Sequence, residues 1–147
     1  MRIIKFCILA CVLMLATGCS CKSRRVGPGN IPVAGEEGPL KNVYFAFDSY
    51  ALDTTAKATL RENAQWLSDN QSATVQVEGH CDSRGTNEYN MVLGQKRANA
   101  AYQYLRSLGV ENKRMSTISY GEELPLDPRE NEEAWAKNRR AHFAVQE

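Results

Sequence analysis

Val43, Phe45 and Phe47 alternate with Tyr44 and Ala46, the period-two pattern of a strand with one apolar face. Asp53, Thr54 and Thr55 then offer helix caps, and Ala56, Leu60, Ala64 and Leu67 recur at helical spacing behind them. A second alternation sets Ala73, Val75, Val77 and Gly79 against Thr74, Gln76, Glu78 and His80 and predicts another strand. A long helix is expected from Asn87 to Leu108, with Gly109 as its stop. Its core stripe would be Gly94, Ala98, Ala101, Leu105 and Leu108, where two small residues allow close approach to a sheet. Met115 to Tyr120, closed by Gly121, reads as a third strand, and Ala141 to Val145 as a fourth after a short helix around Glu132 to Asn138. Strands separated by amphipathic helices predict an α/β (α+β) two-layer sandwich, a four-stranded mixed sheet with helices on one face. No internal repeat interrupts this order.

The first 41 residues do not join the pattern. Arg2 and Lys5 precede the apolar run from Phe6 to Ala16, and small residues follow at Thr17-Gly18, the layout of an export signal. The run is too short for a comfortable membrane span, which needs about 20 residues. Cys19 directly after small residues resembles the bacterial lipobox, in which the thiol takes a diacylglycerol and becomes the new N-terminus. Ala16 stands where that motif prefers Leu, with Leu15 one position earlier; an uncleaved anchor or a cut elsewhere are the alternatives. From Lys22 to Lys41 the chain is rich in Gly and Pro and almost free of large apolar residues, so it reads as a flexible tether. Its reach from Cys19 would be roughly 75 Å fully extended and about 27 Å as a coil. The expected division is therefore a signal peptide over 1–18, a lipidated N-terminus and tether over 19–41, and one folded domain over 42–147.

Charge narrows the partners. The chain carries 18 basic and 17 acidic residues, and Arg2 and Lys5 would leave with the signal, so the charges nearly cancel. Nucleic acid and an anionic membrane surface both need a clear basic excess and are excluded as main partners. Of the five cysteines, Cys7 and Cys11 would leave with the signal and Cys19 would carry lipid, so only Cys21 and Cys81 remain as thiols. A bond between them would tie the tether to the loop after the second strand; two unpaired thiols, with Cys81 filling a small packed site, is the favoured reading.

The candidate chemistry lies between the second strand and the long helix. Asn90, Leu93 and Arg97 are spaced i, i+3, i+7 and share a face distinct from the core stripe. The loop before them supplies Asp82, Ser83 and Thr86 with main-chain N–H groups, and Asp48 follows the first strand. Arg97 can lean back toward this loop, because helical side chains point to the helix N-terminus. A fixed cation beside a fixed anion suits a zwitterionic amino acid. His80 ends a strand and is expected to hold a hydrogen-bonded structural role. With Cys81 and Asp82 it could be misread as a metal site, but adjacent strand residues point to opposite faces and His142 stands alone. Arg139 and Arg140 close a helix, where cations complement its dipole, and Trp66 and Trp135 read as packing residues.

The run Gly79-His80-Cys81-Asp82-Ser83-Arg84-Gly85-Thr86-Asn87-Glu88-Tyr89-Asn90, followed by Leu93 and Arg97-Ala98-Asn99, resembles the OmpA-like peptidoglycan-binding domain family. Val43 to Asp48, Ser119-Tyr120-Gly121-Glu122 and Asn138-Arg139-Arg140-Ala141 extend the resemblance, which covers about Asn42 to Glu147. It implies a domain without cofactor or enzymatic activity that binds the diaminopimelate of the peptidoglycan stem peptide. The residues matching the family's contacts are Phe47, Asp48, Asp82, Ser83, Thr86, Leu93 and Arg97, with Asn90 and Arg139 in support. Arg97 would grip a carboxylate in a bidentate fork while Asp82 takes an ammonium. Truncating either is expected to change stability little. The family usually has Thr or Ala at the Cys81 position. The resemblance further implies an outer-membrane location, with the domain facing the periplasm on a lipid anchor, and a partner in the β-propeller protein of the Tol system. Ser20, rather than Asp, after the lipidated Cys agrees with outer-membrane sorting. The competing readings are a wall hydrolase using Asp48 and Asp82, for which paired carboxylates are weak support, and a motor-stator anchor, which would need an acid absent from residues 3 to 17.

Overall fold

The computed structural model describes residues 38–146. The signal segment, Cys19, Cys21 and most of the tether lie outside the described residues. Four strands and three helices alternate: β1 Val43–Tyr44, α1 Thr54–Asp69, β2 Thr74–His80, α2 Asn87–Ser107, β3 Met115–Gly121, α3 Glu132–Asn138 and β4 Arg140–Gln146. A short 3-10 turn, Asn112–Arg114, leads into β3. The strand order is β1-β4-β2-β3, with β2 and β3 parallel and the other pairs antiparallel, so the sheet is mixed as expected. No helix among the described residues is long and apolar enough to cross a membrane.

The caps form where their chemistry puts them. Asp53 accepts the Ala56 N–H at 2.7 Å to open α1, and Thr86 accepts the Tyr89 N–H at 3.2 Å to open α2. Gly109, at φ +98°, ends α2 in the left-handed conformation. The core joins the expected stripes: Leu60 and Leu67 of α1 and Ala98, Ala101 and Leu105 of α2 pack on Val75, Val77 and Phe143 of the sheet. Gly79 and Gly94 set the spacing of α2 from β2. A Cβ on Gly79 would lie 1.8 Å from the Gly94 carbonyl oxygen, and one on Gly94 would lie 2.3 Å from Ser119 Oγ. Backbone therefore meets backbone at this point, and Arg97, one turn further along α2, is carried down onto the end of β2.

Three patterns end differently from expectation. Leu108 is 39 % exposed, because α2 stops one residue earlier and the chain turns; Val110 is buried in its place, with its N–H bonded to the Leu105 carbonyl at 3.2 Å. Val43 and Phe45 are buried as predicted, but Phe47 leaves the alternation and is 58 % exposed. The cause is a tight turn in which Asp48 takes φ +52° and the Ser49 N–H reaches the Ala46 carbonyl. Finally, Glu78 and His80, on the polar side of the β2 alternation, are buried. β2 lies between β4 and β3, and Tyr120, His142 and Arg140 flank its second face. The His80 ring stacks on Tyr120 with centroids 5.5 Å apart, and its Nε2 lies 3.7 Å from a Glu78 carboxylate oxygen. Neither ring nitrogen has a hydrogen-bond partner, which corrects the expected hydrogen-bonded role.

Candidate functional site

A cavity of about 220 Å³ opens where the β1–α1 turn, the end of β2 and the first turns of α2 meet. Its walls include Phe47, Asp48, Asp82, Asn90, Leu93 and Arg97, six of the residues the sequence singles out. Ser83 and Thr86 are not on its walls. Ser83 Oγ turns the other way and donates to Glu130 at 2.7 Å, and Thr86 serves as the α2 cap. The wall also includes Arg84 and Tyr89, which the sequence reading passed over. Tyr89 precedes Leu93 and Arg97 at i, i+4, i+8, a spacing that marks it as their neighbour on the helix.

Arg97 is only 1 % exposed, more deeply buried than suits the expectation that its truncation would change stability little. Its Nε donates to the Ser49 carbonyl at 2.8 Å, Nη1 to the His80 carbonyl at 2.9 Å and Nη2 to the Ala46 carbonyl at 3.2 Å. Every one of these acceptors is a neutral carbonyl. No carboxylate among the described residues forms an ion pair with Arg97; Asp82 pairs with Arg84 and Arg139 instead. Burial lowers the Arg97 pKa from its ordinary value, as expected of a cation without a counter-ion. Removing a charge from water without pairing it is costly, and here the guanidinium is met by neutral acceptors alone. Cys81 lies beside it with a free, buried thiol, its Sγ 3.4 Å from Arg97 Nη1, and burial pushes that thiol up to about 11. The thiol thus supplies no counter-ion to Arg97.

Asp82 has the opposite situation. Its Oδ2 accepts from Arg84 Nη2 at 2.6 Å and Arg139 Nη1 at 3.1 Å, and its Oδ1 accepts the Arg84 N–H at 3.2 Å. Burial works against the charged carboxylate, but the hydrogen bonds from Arg84 and Arg139 outweigh it and hold the Asp82 pKa below its ordinary value. Arg139, expected only as support, is buried and also bonds Glu132 at 2.8 Å and the Phe45 carbonyl at 3.1 Å. Arg84, Arg139, Asp82 and Glu132 thus balance one another. Asp48 is the cavity carboxylate with no cation paired to it among the described residues; its one side-chain partner is the Tyr89 hydroxyl. What remains uncompensated around the cavity is one positive charge, Arg97, and one negative charge, Asp48. Asn90 steadies the floor by donating to the carbonyls of Asp82 at 3.3 Å and Arg84 at 3.2 Å. No cluster of three His, Cys, Asp or Glu side chains suited to a metal ion occurs among the described residues.

Residues 44–139 match the OmpA family, and the chain belongs to that family. Within it, the chain is similar to peptidoglycan-associated lipoproteins. One from Brucella melitensis is 44 % identical over 99 residues, a match covering 67 % of this chain and 59 % of the relative's length. One from Pasteurella multocida is 40 % identical over 134 residues, covering 90 % of this chain and 89 % of the relative. The crystal structure of the peptidoglycan-associated lipoprotein from Burkholderia pseudomallei superimposes with a TM-score of 0.69 at 42 % identity, covering 71 % of this chain and 89 % of that one.

Proposed function

We propose that this chain is a non-enzymatic anchor that binds peptidoglycan non-covalently and ties the outer membrane to the cell wall. The observation that carries the reading is Arg97, a buried guanidinium on a cavity wall with no carboxylate paired to it. The ligand is the diaminopimelate of the stem peptide, whose free end bears an ammonium and a carboxylate on one carbon. Arg97 takes the carboxylate; Asp48 and Asp82 face the ammonium, with Leu93 and Phe47 against the aliphatic part. Each charge-assisted bond contributes about 1.5–3 kcal/mol, enough for reversible attachment. The names of the relatives from Brucella melitensis and Pasteurella multocida support the same reading.

Cys19 carries the lipid in this proposal, the tether spans the gap, and the domain works in the periplasm with a Tol-type β-propeller partner in envelope constriction. Sedimentation with purified insoluble peptidoglycan, with stem-peptide composition determined in parallel, tests the binding. Protein that stays in the supernatant with diaminopimelate-containing wall ends the proposal, and release of soluble wall fragments would make the chain an enzyme. Labelled palmitate that still enters a Cys19→Ala chain at the unmodified level would remove the anchor.

A further inference from the structure

Trp135, on the short helix α3, touches the binding loop in two ways. Its Nε1 donates to Ser83 Oγ at 3.2 Å and to Glu130 at 3.3 Å. Its ring also lies 4.2 Å from the Cζ of Arg84, and the other neighbour of that guanidinium is the Phe47 ring, 4.0 Å away. The order is aromatic, cation, aromatic. The edges of the same guanidinium are taken by Asp82 at 2.6 Å and Glu132 at 3.6 Å. Aromatic rings fix the plane of Arg84, and carboxylates fix its rotation within that plane. α3 itself is firmly placed: Asn131 caps it through the Ala134 N–H at 3.0 Å, and Asn138 accepts the Leu126 N–H at 2.8 Å.

We propose that Trp135 is a positioning residue for the cavity: with Phe47 it clamps Arg84, and through Arg84 it holds the Asp82 carboxylate and the Phe47 rim in the arrangement that receives the ligand. Trp135 is not on the cavity wall, so its influence on binding runs through Arg84, which is. Phe47 needs the support because it has left the strand and is largely exposed. The proposal rests on the stem-peptide reading above and adds the residue that sets the geometry of that site.

A residue that merely covered α3 could be any apolar side chain of fair size, whereas a clamp needs a ring. The test compares Trp135→Leu with Trp135→Phe in the full chain, by calorimetric titration with a soluble diaminopimelate-containing stem tripeptide. Trp135→Leu should bind roughly fivefold to tenfold more weakly, the scale of a lost cation–π contact, and Trp135→Phe should stay within about twofold of the wild type. Equal binding by Trp135→Leu and wild type overturns the proposal, as does equal weakening of the two variants. Absence of binding by the wild type overturns the stem-peptide reading itself and the proposal with it. An independent readout needs no ligand: the chain has two tryptophans, so in a Trp66→Phe background Trp135 is the only fluorophore of its kind. Adding Arg84→Ala there should shift its emission. An unchanged spectrum would mean the guanidinium does not sit on the ring, and the clamp falls.

Discussion

Arg97 Nε donates to the Ser49 carbonyl at 2.8 Å, so the long helix α2 grips the turn that follows β1. The same guanidinium reaches the carbonyls of His80 and Ala46, making it a tie between three segments as well as a cavity wall. Arg97→Ala leaves these acceptors without their donor, at about 1–3 kcal/mol for each one that water does not reach, and regains part of this by removing a buried charge. The expected net loss is about 2–4 kcal/mol. Urea denaturation reads it directly, and a wild-type midpoint would show that the guanidinium contributes only to binding.

His80 predicts an acid-sensitive fold. Burial lowers its pKa, the neighbouring Arg140 acts in the same direction, and the Glu78 carboxylate opposes them without prevailing. The folded state therefore prefers the neutral ring. Its contribution to stability is whole above the unfolded value of about 6.5 and is lost as pH falls below it toward the folded pKa. His142, also lowered by burial, has the same sign. Melting temperature should drop between about pH 7.5 and about pH 5, and His80→Gln should reduce that drop while the His142 share remains. An identical pH dependence in the variant would place the sensitivity elsewhere.

Much of this was legible in the chain because local rules and the fold agreed. Asp53 caps α1, Gly109 ends α2, and the apolar stripes of both helices meet the strands their spacing pointed to. The departures are tertiary. Phe47 continues an alternation by type, yet Asp48 at φ +52° turns the chain and puts the ring on the cavity rim. Glu78 falls on the polar side of its alternation, but at this end of the central strand side chains of the neighbouring strands cover it, while Thr74 and Gln76 on the same side stay partly open. In the site, Asp82 and Arg97 came from one local motif. Asp82 is nevertheless paired with Arg84, two residues on, and with Arg139, 57 residues beyond it along the chain, while Arg97 has no carboxylate partner among the described residues; the long-range half of that arrangement is not a local pattern.

Asp48 and Asp82 should separate experimentally. Asp48 is exposed, and Asn tolerates its positive φ, so Asp48→Asn should change stability by less than about 0.5 kcal/mol. Since Asp48 faces the ligand ammonium in the proposed complex, the same change should weaken wall binding about tenfold. Asp82→Asn should cost both binding and stability, since it takes the anion from the buried Arg139 contact and from the half-buried Arg84 contact. Sedimentation with insoluble wall and urea midpoints on the two variants measure both halves. Undiminished binding by Asp48→Asn would return the ammonium to Asp82 alone.

Ligand choice follows from the charge left over around the cavity. Diaminopimelate-type wall should be preferred to lysine-type wall, because lysine lacks the distal carboxylate and would strip water from Arg97 without supplying an anion. That loss is about 1–3 kcal/mol, or roughly tenfold to a few hundredfold in affinity. Arg97→Leu should lower affinity for the diaminopimelate-type stem peptide and shrink the gap between the two ligands, since the unpaired cation that penalised lysine is gone. The stability cost argued for Arg97 makes a circular-dichroism check on the variant part of the measurement. Where the variant is unfolded, the wild-type pair of affinities still decides: equal calorimetric affinity for the two soluble peptides rules out the carboxylate clamp, even with wall binding itself intact.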